Sequence, residues 1–447
     1  MAMTDTGLFR PNLSRRAILA AAAAAAATGL VAARPRAEDA VTLRWWSPQA
    51  APAQRAAYDF QIAQFEAANP GVKIVFEPTS DEGYAQQLAA AFASGEVPNV
   101  VTHLPSFAVQ DYWSAGLLEP MNDVIDALGP QNYYPGANRI YEITPGTFAG
   151  TGVGNTAANM LWLRTDLMKK AGIDANPTTW DALRAACKKM QGGGIYGAPL
   201  PYGRNSMTSL IFIGVIHQAG GQVFSPDLEV AIDSPETLNA LDWYKSMREL
   251  CPAGATNYSW GESLTAFVSG ATATGIYAGR VLANVTAQNP GIADSITCTA
   301  YPTISKDVPA WTFNDFPSVF VPKAAKNMAM TKKFVVSLFN PEGYIKQLLG
   351  APGHILPVLK PIATNPIYLA DPIIKKYQKE VDLMAASAAG GYNLGFESAK
   401  HKPNVGGGKV VNSDVISEMV QRVCINDENP KTVLGETAKK ISDIMKG

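Results

Sequence analysis

The stretch ESLTAFVSGATATGIYAGR, residues 262–280, reads as two elements joined by a stop. Leu264, Phe267 and Val268 recur at helical spacing. Ser269 and Gly270 then end the run, glycine being the residue that accepts a left-handed helix cap. From Ala271 to Tyr277 the residues are small or apolar, the composition of a strand covered on both faces by helices. The strand runs out on Tyr277, Gly279 and Arg280. Ligands of open α/β sheets bind beyond the carboxyl ends of the strands, so this trio is placed where a solute would be met. The expectation is an α/β protein with a solute-binding cleft.

Upstream the same alternation recurs. Val41 to Ser47 predicts a strand, and Tyr58, Ile62 and Phe65 mark one face of a helix stopped by Asn69, Pro70 and Gly71. Val72, Ile74 and Phe76 alternate as a second strand, and Tyr84, Leu88, Ala91 and Phe92 follow the helical period. Val100 to Leu104 is a third strand. Short connections between alternating strands and helices argue for a parallel sheet with helices on both faces. Its carboxyl edge would then carry Trp45 and Trp46, Asp81 and Glu82, and His103 with Ser106.

A second α/β unit begins near Asp166, with Thr178 or Thr179 capping a helix that has Asp181 in its first turn. Strand and turn signals follow at 195–199, then helices near 208–218 and 235–251. Downstream, 296–301 and 318–321 predict strands, and 330–338 a helix. Leu434, Ala438, Ile441 and Met445 mark one face of a last helix. Residues 388–408, rich in glycine and without a clear period, read as a surface loop.

A chain of 447 residues exceeds what one growing core serves, so two domains or lobes are expected. At its start, Arg15 and Arg16 precede an alanine-dominated apolar run, which reads as a twin-arginine export signal over residues 1–37, with cleavage after Ala33 or Ala37. Without that segment 32 basic residues face 37 acidic ones, a net charge of −5. A mildly acidic chain with no basic blocks is unsuited to a phosphate backbone, which excludes nucleic acid as a partner. Cys187, Cys251, Cys298 and Cys424 form no Cys-x-x-Cys, and both pairing and free burial stay open. None stands at the end of the signal, so a soluble periplasmic protein without a lipid anchor is expected.

Taken together the stretches resemble the extracellular solute-binding proteins of ABC importers, in the class that includes maltose-binding and other sugar-binding proteins. The resemblance is carried by the opening strand with its aromatic pair and by Phe65-Glu-Ala-Ala-Asn-Pro-Gly-Val72. Ala93-Ser-Gly-Glu-Val-Pro98, residues 167–173 with 177–180, and Phe267 to Gly270 continue it. It implies a two-lobed, type II periplasmic-binding-protein-like fold with a multi-crossover hinge, closing on a sugar or sugar-like solute and delivering it to a membrane permease. The crossings would lie near Asn155, at 313–317 and at 354–357. One lobe is then 41–154 plus 317–354, the other 155–316 plus 355–447. A monomer is expected, with no cofactor and no metal. One departure stands out: Gly279 and Arg280 occupy positions where many sugar binders carry Trp or Pro, which points toward an anionic solute.

Candidate contacts follow. Trp45 and Trp46 are neighbours on a strand and face opposite ways, so at most one lines the cleft and the other is core. Tyr277 and Trp311 are further stacking candidates for a pyranose face. Arg280 suits a carboxylate, sulfonate or phosphate, its structural alternative being an ion pair with Asp81, Glu82 or Asp315. Asp81, Asp315, Ser106, Asn155 and His354 complete the polar set. Gly-x-Ser-x-Gly, His-Glu-x-x-His and phosphate-loop patterns are missing, and the four histidines lack metal-ligand spacing. Scattered carboxylates leave an exported carbohydrate-active enzyme of glycosidase type as the alternative.

Overall fold

The computed structural model describes residues 41–80, 83–134 and 136–446. The export segment 1–37 and the acidic pair Asp81 and Glu82 lie outside them. Eight strands are described: β1 (Val41–Ser47), β2 (Val72–Pro78), β3 (Val100–Thr102), β4 (Thr151–Gly152), β5 (Met160–Arg164), β6 (Thr274–Tyr277), β7 (Ile296–Thr299) and β8 (Ser318–Phe320). They form two sheets, β2-β1-β3-β8-β4 and β6-β5-β7.

The first sheet is parallel where the sequence alternates strand and helix. β1 pairs in parallel with β2 and with β3, Trp45 opposite Phe76 on one side and Val100 on the other. β8 departs from the expected parallel pattern, running antiparallel to both β3 and β4. Connectivity explains this. The chain leaves β1, β2 and β3 at their carboxyl edge but enters β8 from that same edge, coming from the other sheet. In the second sheet β5 pairs antiparallel with β6 and β7 for the same reason. β5 starts at the edge where β6 ends, with Met160 opposite Tyr277.

Local chemistry sets the elements around residues 262–280. Ser259 and Glu262 form a reciprocal capping box at the helix Trp260–Val268, with the Ser259 N–H donating to Glu262 Oε2 at 3.0 Å. Gly270, at φ +84°, ends it. Gly275 then admits the ring of Phe267, which a Cβ at that position would strike. The strand does not end on Arg280, as expected, because Val281, Leu282 and Val285 bury one face of a helix, Arg280–Gln288, that opens with the arginine.

Other elements depart from the sequence reading too. Residues 195–199 make isolated bridges, Tyr196 with Thr272 among them, rather than a strand. Residues 388–408 are not a surface loop: Asn393, Leu394, Glu397 and Asn404 are buried. Glycine here serves close approach, since a Cβ on Gly391 would meet Cβ of Asn314 and one on Gly407 the carbonyl of Leu394. Helices over Pro341–Leu349, Gln378–Ala389 and Val415–Cys424 complete the layers. All four cysteines are free and buried.

Candidate functional site

Three chain segments cross between the sheets side by side. The Val153 N–H donates to the Pro317 carbonyl at 2.8 Å, and Ala158 N–H to Phe313 at 2.9 Å. Asn155 and Leu356 exchange both backbone hydrogen bonds at 2.8 Å. At the centre sits Asn314, 0% exposed. Its Oδ1 accepts from the Thr156 and Phe316 amides, while Nδ2 donates to Ala388 O at 2.8 Å and to Asn155 Oδ1 at 3.4 Å. One side chain thus ties together the first crossing, the second crossing and the end of helix Gln378–Ala389. Asn314 lies inside the 310–317 stretch, yet its role was not read from sequence, because a buried amide is recognisable only through its partners.

The strand-end residues converge on these crossings. His103, after β3, has φ +65°, a left-handed conformation unusual outside glycine. Its Nδ1 lies 3.2 Å from Ser47 Oγ at the end of β1. Burial holds its pKa down at about 3, so the ring is neutral. Ser106 donates its N–H to the Asp315 carbonyl at 3.4 Å, and its hydroxyl accepts from Asn393 Nδ2 at 2.8 Å. The Asp315 amide donates to Thr156 Oγ1 at 3.2 Å.

Across the junction, Tyr277 ends β6 with the Trp260 ring edge-on at 5.5 Å. The turn after it is pressed on the third crossing: a Cβ on Gly279 would run into the carbonyl of Gly353, and one on Gly353 would meet Leu282 Cδ1 at 2.8 Å. This contact sets Arg280 beside His354. The His354 imidazole is pushed well below its ordinary pKa by burial first, then by the charge of Arg280. Arg280 itself is half-buried.

The aromatic candidates stand apart from this group. Trp45 is 1% exposed, donates Nε1–H to Thr102 Oγ1 at 3.0 Å and packs on Tyr58, Phe76 and Phe334. Trp46 is buried on the opposite face of the sheet, its indole N–H on Glu77 and the Arg44 guanidinium over its ring. Trp311 stacks on His217 at 4.4 Å and donates to the Glu397 carbonyl at 3.0 Å. The buried Glu397 carboxylate accepts from the Val223 and Phe224 amides and contacts His217 Nε2, each at 2.8 Å. Asp81 lies outside the described residues. A small chamber of about 50 Å³ opens beside the crossings, lined by Arg139, Phe316, Tyr392 and Phe396 among others. Its cation is already engaged, over the Phe396 ring at 4.2 Å and on the Ala399 carbonyl. In the strand-end group, His354 Nδ1 is a buried atom without a hydrogen-bond partner.

Two sheets whose strand ends face one set of crossings are the frame of a two-lobed protein. The chain belongs to the bacterial extracellular solute-binding proteins, whose family model matches residues 49–345. A protein of Escherichia coli strain K12 named for a periplasmic-binding role in an ABC transporter, YcjN, is 23% identical over 389 residues, covering 86% of this chain and 88% of its own. The fold is the two-lobed type II one. It matches maltose-bound MalE3 of Thermotoga maritima with a TM-score of 0.77 at 19% identity, over 91% of this chain and 100% of the other. A solute-binding protein of Agrobacterium radiobacter K84 in complex with ribitol matches with 0.76 at 19% identity, over 91% and 99%. Among the described residues, no helix is long and apolar enough to cross a membrane.

Proposed function

We propose that this protein is the periplasmic capture component of an ABC importer. It closes two lobes on a sugar or sugar-like solute and hands it to the membrane permease as a soluble monomer exported by the twin-arginine route. The observation that carries the reading is the gathering of the ends of β1, β3, β5 and β6 at the three crossings. Closure there removes a solute's hydroxyls from water only if protein groups replace their hydrogen bonds. Ser106, Asp81, Asp315, Tyr277, Arg280 and His354 are the proposed polar and aromatic contacts, with Asn155 holding the hinge. Trp45, Trp46 and Trp311 support these positions from the packed layers. The names of the relatives, a maltose complex and a ribitol complex among the structures, favour carbohydrate or polyol chemistry.

The lobes are proposed as 41–154 with 317–354, and 155–316 with 355–447. One refinement follows from hydrogen bonding. Tyr134 donates to Val358 O at 3.0 Å and Lys360 to Gln131 O at 3.2 Å, so 356–360 packs on the first lobe just beyond the third crossing. Function here is closure rather than chemistry. A thermal-shift screen of neutral sugars, sugar acids and polyols tests the reading. A ligand at a hundred times its dissociation constant adds about 2.7 kcal/mol, a measurable rise in melting temperature. A broad panel without any shift would end the carbohydrate reading, and product formed from an oligosaccharide at catalytic protein levels would replace it with the glycosidase alternative.

A further inference from the structure

Arg280 is half-buried at the mouth between β6 and the third crossing, and no ion pair with a carboxylate engages its guanidinium among the described residues. Arg44, Arg164, Arg184 and Arg422 each sit on a carboxylate at 2.7 Å or closer, and Arg139 and Arg248 donate to backbone carbonyls. A partly desolvated cation without a counter-charge is costly, and the cost is recovered when an anion arrives.

A second observation points the same way. The Nδ1 of His354 is buried and has no hydrogen-bond partner in the structure. Buried polar atoms are paired in nearly all folded proteins, so an orphan beside an unpaired guanidinium marks an unfilled acceptor position. The Gly279–Gly353 contact fixes this pair together through the backbone, which is stiffer than side-chain packing. Behind them the helix Arg280–Gln288 directs its amino end, with its partial positive charge, toward the same place.

We propose that Arg280, with His354 beside it, is a subsite for an anionic group on the solute, a carboxylate or a phosphate. The inference rests on the cleft being the solute site and adds the charge class. Guanidinium nitrogens in a planar fork match two oxygens of either group, and the imidazole N–H supplies a third donor. Position follows as well: the anionic end of the solute lies against the carboxyl end of β6, and its hydroxyls extend toward Ser106 and Asp315.

Matched pairs provide the test. Calorimetric titration of the full mature chain compares each of several neutral hexoses with its hexuronic acid and its hexose 6-phosphate. At least one acidic twin is expected to bind about tenfold or more tighter than its neutral parent, and which twin wins separates carboxylate from phosphate. Arg280→Gln is expected to abolish that preference while leaving the circular dichroism spectrum of the free protein unchanged and its melting temperature no lower. His354→Phe should weaken the acidic twin alone. Neutral hexoses binding as tightly as their acids, or an acid preference that survives Arg280→Gln, would overturn the subsite while leaving a sugar-binding cleft intact. Binding by no member of any pair would remove the carbohydrate reading, and the subsite with it.

Discussion

At the scale of single residues the buried polar groups decide most. Glu397 is 2% exposed and is matched by two backbone amides and His217, so its charge is stabilised only in the folded arrangement. Glu397→Ala strips three partners at once, and breaking a buried pair from one side costs about 3–5 kcal/mol. Urea unfolding should show that loss as a lower midpoint with the slope retained. His103 supplies a pH signature. Its folded pKa of about 3 lies below the ordinary 6.5. Between those values the unfolded chain binds a proton that the folded one refuses. The stabilisation is therefore full above pH 6.5 and is lost as pH falls toward 3. From pH 7 to pH 5 this ring alone removes about 2 kcal/mol. His103→Asn keeps a residue tolerant of positive φ and deletes the titration. Its stability should fall less steeply with acid by that amount, measured as urea midpoints at the two pH values; parallel curves would show that other groups carry the acid limb.

At the scale of elements, what could be read in advance followed periodicity. β1 was legible from Val41, Leu43 and Trp45, and the opposite facing of Trp45 and Trp46 follows from strand alternation alone. Both being buried does not follow from it, because alternation cannot say whether helices cover the second face. The helix after β6 was missed because Gly279 reads as a strand terminus, although Val281, Leu282 and Val285 carry the helical spacing. Residues 388–408 misled for a related reason: glycine signals a loop locally, whereas here it permits backbone to press on Asn314 and Leu394. The same permissiveness joins the β6 turn to the third crossing at Gly279 and Gly353. Gly279→Val should act as a wedge between these two segments. Binding of the best ligand is expected to weaken about tenfold or more, with far-ultraviolet circular dichroism unchanged. Unchanged affinity would mean that this contact is not made in the ligand-bound form.

At the scale of the whole molecule, export and thiol chemistry bear on each other. The two halves differ in cysteine content: all four thiols lie between residues 187 and 424, and each is free and buried. Burial raises the pKa of Cys187, Cys251 and Cys424 to about 12, so none of these three is a ready thiolate in the folded state. In the unfolded chain the same thiols are ordinary and would meet an oxidising compartment. Cys187 packs by Thr274 and Cys251 by Tyr202, places in the second half's core that a mispaired disulfide would pull apart. A chain of this kind gains from folding before it is exported, which is the advantage the proposed twin-arginine route would give it. Denatured protein refolded in dithiothreitol should recover its native melting transition and ligand binding. Refolding in an oxidising glutathione buffer should recover much less, and a quadruple Cys→Ser chain should be indifferent to the buffer. Equal recovery of the natural chain in both buffers would show that oxidation does not compete with folding, and would leave the choice of export route without a structural reason in the thiols.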